Sequence, residues 1–119
     1  MTLVDTSVWI DFLARGDYRM QKLLEAGEVL MHPMIVGEIA CGRLVARRAV
    51  LDLLARLPES VVATSTEALR FLEVHRLHGL GIGWIDVHLL ASTALSAPAR
   101  MLTRDRRLAA AASDLGLLA

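Results

Sequence analysis

Cysteine is all but missing from this 119-residue chain. Cys41 stands alone, so no internal disulfide can brace the fold, and a disulfide-framed secreted scaffold is excluded. Lysine is equally scarce: Lys22 is the only one, and every other basic residue is arginine. Neither sign of charge dominates: 13 basic and 13 acidic residues give a formal net charge of zero, which removes any bulk electrostatic pull toward nucleic acid or a membrane. No charge-free run approaches the roughly 20 residues of a membrane helix; the longest, Val87 to Ala99, includes His88 and several small polar residues. The first residues also lack the basic start, apolar run and small-residue cleavage site of a secretory signal. The expectation is a cytosolic protein with no membrane partner.

What is present is apolar and regular. Hydrophobic residues reach 55% and charged ones 22%, which excludes a disordered chain and suits helices packed on both faces of a sheet. The length fits one domain, residues 1–119, and no repeat, linker or low-complexity tract divides it. The pattern alternates. Thr2 to Val4 reads as a strand, Val8 to Leu13 as a helix broken near Gly16, and Met20 to Glu25 as a short helix ended by Gly27. Val29 to His32 is a strand stopped by Pro33. Met34 to Cys41 and Leu44 to Leu57 are helical by spacing, and Val61 to Ala63 is β-branched enough for a strand. Ser65 or Thr66 caps a helix running to about Leu77. A glycine-rich break at Gly79 to Gly83 precedes a helix that starts near Asp86. Arg100 to Thr103 is a strand, Leu108 to Ala112 a helix, and Leu115 to Leu118 an edge strand. Strands alternating with helices predict a parallel α/β sheet.

Acids recur where that sheet would deliver them. In Leu3-Val-Asp-Thr-Ser-Val-Trp-Ile-Asp11 a strand leads straight into Asp5, and an ionised carboxylate in apolar surroundings costs several kcal/mol unless compensated. Met101-Leu-Thr-Arg-Asp105 repeats the arrangement at a second strand. Asp86 opens an otherwise apolar helix, and Glu38 is the only charge in Met34 to Cys41. Two readings are open for each acid. It caps a helix, faces water or pairs with a base such as Arg43; or the acids gather at the carboxyl ends of parallel strands and share a cation. An all-oxygen set suits a hard divalent ion, Mg²⁺ or Mn²⁺, which retains positions for a phosphate. His75 and His78 share a helix face but lack partners for a zinc site, and His88 reads as structural. Arg43, Arg47 and Arg48, and again Arg104, Arg106 and Arg107, are either solvated helix faces or phosphate contacts.

Taken in order, Leu3 to Asp11, Gly37-Glu-Ile-Ala-Cys-Gly42, Gly83-Trp-Ile-Asp-Val-His-Leu-Leu-Ala91 and Leu102-Thr-Arg-Asp-Arg-Arg-Leu108 resemble the PIN-domain ribonucleases, and within them the VapC-type toxins of toxin–antitoxin pairs. The resemblance spans essentially the whole chain. It implies a PIN-like three-layer α/β/α sandwich with a central, mainly parallel sheet and helices on both faces. It implies Asp5, Glu38, Asp86 and Asp105 as catalytic, metal-binding acids, with Asp5 and Asp86 the foremost direct ligands of Mg²⁺ or Mn²⁺. Thr6, Ser7 and Thr103 match polar positions that support the acids or touch phosphate, and Arg104 adjoins them as a phosphate contact. It further implies hydrolysis of RNA to 5′-phosphate and 3′-hydroxyl ends, a homodimer, and inhibition by a cognate antitoxin over the catalytic groove. Apolar helices around Trp9, Phe12, Leu51 and Leu54 are candidates for such contacts, with core packing the favoured use of each. The stretch between Glu38 and Asp86 is short for the family. An aspartyl phosphatase lacks its second acid two residues after Asp5 and a suitably placed lysine; a catalytically degenerate binding module of the same fold is the remaining alternative.

Overall fold

The computed structural model describes residues 1–119, in three short strands and seven helices. Strand β1 (Thr2–Val4) is central, flanked by β2 (Val29–Leu30) and β3 (Arg100–Leu102), and both pairings are parallel. Neighbouring strand residues face opposite sides of a sheet, and Leu3 and Val4 are each 0% exposed. Helices therefore cover both faces of the sheet. From β1 the chain runs through α1 (Thr6–Arg15) and α2 (Tyr18–Glu25) to β2. It returns through α3 (Pro33–Ala40), α4 (Arg47–Arg56), α5 (Ser65–Val74) and α6 (Trp84–Leu95) to β3, and ends in α7 (Arg106–Asp114). Beyond α7, Leu118 bridges Met101 on the far side of β3. The connections after β1 and β3 thus leave in opposite directions, which opens a crevice between the carboxyl ends of the two strands. No helix is long and apolar enough to cross a membrane.

One continuous core joins Leu3, Val4 and Met101 of the sheet to Trp9, Ile35, Leu89, Leu90 and Leu108 of the helices. Trp9 and Leu54 lie in it at 0% and 1% exposure, so they pack the core and are not surface contacts for a partner. A smaller cluster of Ala63, Ala68, Val87 and Ala91 lets α5 and α6 approach closely. Helix α6 is buried without a break from Val87 to Thr93, which explains its nearly charge-free sequence.

Three local expectations shift. Val61 to Ala63 is extended but joins no strand: its N–H groups go to hydroxyls of α6, Val61 to Ser96 Oγ at 2.9 Å and Ala63 to Ser92 Oγ at 3.0 Å. The C-terminal segment contributes a single bridge and no strand. Thr64, and not Ser65 or Thr66, caps α5: Thr64 Oγ1 accepts from the Glu67 N–H and Glu67 Oε1 accepts from the Thr64 N–H, a reciprocal pair that also lowers the Glu67 pKa.

A buried polar knot fixes α3 and α6 to each other. His32 is 0% exposed and caps α3, its Nδ1 accepting from the Met34 N–H at 3.1 Å. The ring proton therefore sits on Nε2 and points to Ser92 Oγ, 3.1 Å away. Ser92 Oγ thus receives both this proton and the Ala63 N–H. Ser92→Ala leaves two buried donors unpaired and is expected to cost about 2–5 kcal/mol in urea unfolding, against about 1 kcal/mol for Thr64→Ala at its exposed cap.

Burial, and secondarily the neighbouring His88, pushes the His32 pKa from 6.5 down to about 4. In the unfolded chain the ring takes up its proton near 6.5, whereas in the fold it stays neutral until about 4. The stability linked to this ring is intact above the unfolded value, falls as pH drops through that window, and levels out after a loss of about 3 kcal/mol. His32→Asn keeps a capping acceptor without the titration. Its urea midpoint is expected to decline less steeply than that of the wild type between roughly pH 6.5 and 4.

Candidate active site

Asp5 ends the central strand and occupies the N-cap position of α1, yet its side chain caps nothing. It is 8% exposed. Its backbone N–H continues the sheet to Leu102 O at 2.9 Å. The side chain is held instead by hydroxyls: Oδ2 accepts from Ser7 Oγ at 3.0 Å and from Thr103 Oγ1 at 2.8 Å. Those hydroxyls are oriented in turn by backbone amides, Arg104 N–H to Ser7 Oγ at 3.1 Å and Asp105 N–H to Thr103 Oγ1 at 3.0 Å. A hydroxyl has one proton, and both are committed to the same carboxylate oxygen. Thr6, also buried, donates from Oγ1 to Glu38 Oε1 at 2.8 Å, tying α3 to the end of β1. Thr6, Ser7 and Thr103 therefore orient the acids.

The two remaining acids are set by helix starts. Asp86 lies in the first turn of α6, and its Oδ2 accepts from the Gly83 N–H at 3.0 Å. Asp105 caps α7, its Oδ1 accepting from Arg107 N–H at 2.9 Å and Leu108 N–H at 3.1 Å. For Asp86 and Asp105 the role at a helix start thus still leaves one carboxylate oxygen available. Each of the four carboxylates anchors one oxygen, Asp5 Oδ2, Glu38 Oε1, Asp86 Oδ2 and Asp105 Oδ1, and leaves its other oxygen without a protein donor. None of the four has a basic partner; the ion pairs of the chain involve Asp11, Asp17 and Glu25.

The fields of the other three acids are felt at Asp86. Burial raises the pKa of Asp86; the bond from Gly83 N–H opposes it, and the charges of Asp5, Asp105 and Glu38 raise it further. Asp86 is therefore within reach of all three fields. Exposure grades outward from buried Asp5 through half-buried Asp86 to exposed Glu38 and Asp105. As the side chains stand, no three acids or imidazoles close on a common point tightly enough to enclose a cation. Like charges side by side push apart, and Glu38 and Asp105 are the exposed pair among the four. The donor set, four carboxylates with free oxygens and no sulfur or imidazole among them, fits a hard divalent ion.

The surroundings are less uniform than the sequence suggests. Arg104 does not stand free: its guanidinium pairs with Asp11 at 3.0 Å and with Asp17, which pins the loop after β3 to α1 and α2. Arg107 lies across Gly81, where a Cβ would come within 2.6 Å of its Nη1. Gly81 has φ +79°, and that backbone conformation is the constraint that favours glycine there, since the flexible Arg107 side chain could shift. A mostly apolar groove of about 350 Å³ runs along Ile10, Leu13, Ile39, Leu44 and Val50 and reaches Glu38. His32 and Gly83, which hold the helices bearing Glu38 and Asp86, carried no signal of their own as site residues; the Pro33 that follows His32 was the local clue to a helix start.

Comparison with known proteins identifies the family. The PIN domain family profile matches residues 2–114. Ribonuclease VapC32 of Mycobacterium tuberculosis, in strains CDC 1551 / Oshkosh and ATCC 25618 / H37Rv, is 46% identical over 117 residues, covering 98% of this chain and 94% of the relative. On a three-stranded parallel sheet, a family match across nearly every residue and this level of identity, the chain belongs to the PIN-domain family.

Proposed function

We propose that this protein is a divalent-cation-dependent endoribonuclease acting as the toxin of a VapBC-type toxin–antitoxin pair. One observation carries the reading: four carboxylates without basic partners are each anchored by one oxygen and open at the other, and the charges of Asp5, Asp105 and Glu38 are all felt at Asp86. The kinship with Ribonuclease VapC32 supports RNA as the substrate. Asp5 and Asp86 are the principal ligands for Mg²⁺ or Mn²⁺, with Glu38 and Asp105 completing the set. Such an ion, when bound, supplies a water of lowered pKa and a Lewis acid for the phosphoryl oxygens.

The chain's own groups do the rest. Ser7 and Thr103 hold Asp5 in one rotamer, so the cleft is shaped before substrate arrives. Thr6 keeps Glu38 beside it. Attack by water on phosphorus with the P–O3′ bond breaking, the 3′ oxygen leaving as a protonated hydroxyl, gives a 5′-phosphate and a 3′-hydroxyl, and no histidine is required because the ribose 2′-hydroxyl is not the nucleophile. The groove that ends at Glu38 suits an apolar segment of the antitoxin, which would cover the acids as it binds. Exposed Leu69, Val74 and Leu95 offer apolar surface to a second copy. A degenerate binding module would have no use for four uncompensated acids, whose mutual repulsion costs stability.

Purified protein is expected to cut RNA with Mg²⁺ or Mn²⁺ and to stop on chelation. Asp5→Asn and Asp86→Asn should each lower the rate by roughly 100-fold or more. Because burial and like charge both disfavour ionised Asp86, Asp86→Asn should at the same time unfold at a higher urea concentration than the wild type in metal-free buffer near neutral pH. Cleavage that persists in chelator, or at full rate in both variants, would overturn the reading.

A further inference from the structure

The chain has two tryptophans with opposite fates. Trp9 is 0% exposed in the core, whereas Trp84 is 44% exposed at the first position of α6, two residues before Asp86. Indole is a costly group to leave in water without a purpose, and this one is not left loose. Its ring meets the imidazole of His88 edge to face, with centroids 4.6 Å apart and planes at 85°. His88 is 3% exposed, and neither of its ring nitrogens has a hydrogen-bond partner. A buried imidazole with no polar partner is expensive; packing against Trp84 is the contact that its ring does make. His88 thus braces the indole from below and leaves much of it open to solvent.

Trp84 is also where non-electrostatic affinity is needed. The chain has no net charge, and the centre beside this residue is four acids, which repel the phosphates of an approaching strand. Arg104 gives little relief, since Asp11 and Asp17 already engage it. Stacking of a base on an aromatic side chain requires no charge and tolerates any sequence. Leu80 and Ile85, near Trp84 in sequence, are likewise exposed apolar residues, at 47% and 37%. At 100° per residue, Trp84 and Asp86 project from different sides of the α6 terminus. The base that meets Trp84 therefore belongs to a neighbouring nucleotide, and not to the one whose phosphate meets the acids.

We propose that Trp84, braced by His88, is a stacking platform for an unpaired nucleobase of the substrate strand flanking the acidic centre. This inference rests on the nuclease reading above and assigns a binding subsite to it; Trp84 takes no part in bond cleavage. The platform implies that the protein prefers strands whose bases are free to splay out, such as loops and single-stranded segments, over uninterrupted duplex.

The test uses the full chain in chelator, so that nothing is cleaved, with a short single-stranded RNA oligonucleotide as probe. Trp84 is the only solvent-accessible indole, so titration should quench tryptophan emission saturably and shield it from acrylamide, and Trp84→Phe should abolish the change in signal. Trp84→Ala should weaken binding by roughly 5- to 100-fold and Trp84→Phe by much less. The slope of log affinity against log salt should stay unchanged, because no phosphate contact is lost. Wild-type affinity in Trp84→Ala, or an indole equally open to acrylamide in the complex, overturns the platform while leaving the nuclease reading intact. Shielding that follows protein concentration and ignores RNA makes the patch a self-association surface and likewise overturns it. A wild-type chain that neither binds the oligonucleotide nor cuts RNA defeats the nuclease reading itself, and the platform with it.

Discussion

A carboxylate held at the end of a buried strand by hydroxyls, and by no base, is the constraint around which this molecule is organised. Asp5 sits at 8% exposure where the central strand stops, and Ser7 and Thr103 supply the two donors on its Oδ2. An arginine in that place would satisfy the charge outright and close the site. Hydroxyls satisfy it only in part: they fix the geometry, and the charge remains available. Each donor is itself aligned by an amide of the loop after β3. That loop is pinned in turn by Arg104 to Asp11 and Asp17, so a basic residue beside the centre serves the scaffold.

The other acids arrive by the physics of helix starts. Asp105 is a cap in the full sense, and Asp86 bonds the amide at the beginning of α6. A helix N-terminus tolerates negative charge, which offsets part of the repulsion from gathering four carboxylates. The residual strain shows in Asp86, whose pKa is raised by burial and by its three neighbours. On the proposed reading, a fold that keeps such a group forgoes some stability for a centre that would receive positive charge. The knot of His32, Ser92 and Ala63 is the counterweight, locking together α3 and α6, the helices that carry Glu38 and Asp86.

Much of this is legible in the residues. Short apolar runs ending in Asp5 and just before Asp105 mark the two strands, and the lone charges of Glu38 and Asp86 mark the helices facing them. Other parts were hidden because their partners lie far away in sequence. The segment at Val61 to Ala63 has the composition of a strand, but its amides go to hydroxyls projecting from a helix some thirty residues later. Nothing local announces that. The cap of α5 was readable, since Thr64 and Glu67 stand at the spacing of a reciprocal cap, and three consecutive hydroxyl residues obscured which one it was. Arg104 looks free in the sequence because Asp11 and Asp17 come to it from α1 and from the start of α2.

The central claim is that these carboxylates form one cation-binding centre, and diffraction locates such an ion most directly. In crystals equilibrated with Mn²⁺, anomalous scattering should place the metal between the free oxygens of Asp5 and Asp86, at roughly 2.0–2.2 Å from each, with Glu38 or Asp105 drawn toward it. An ordered site at which the metal lies elsewhere on the protein, with Asp5 and Asp86 making no contact to it, would contradict that claim.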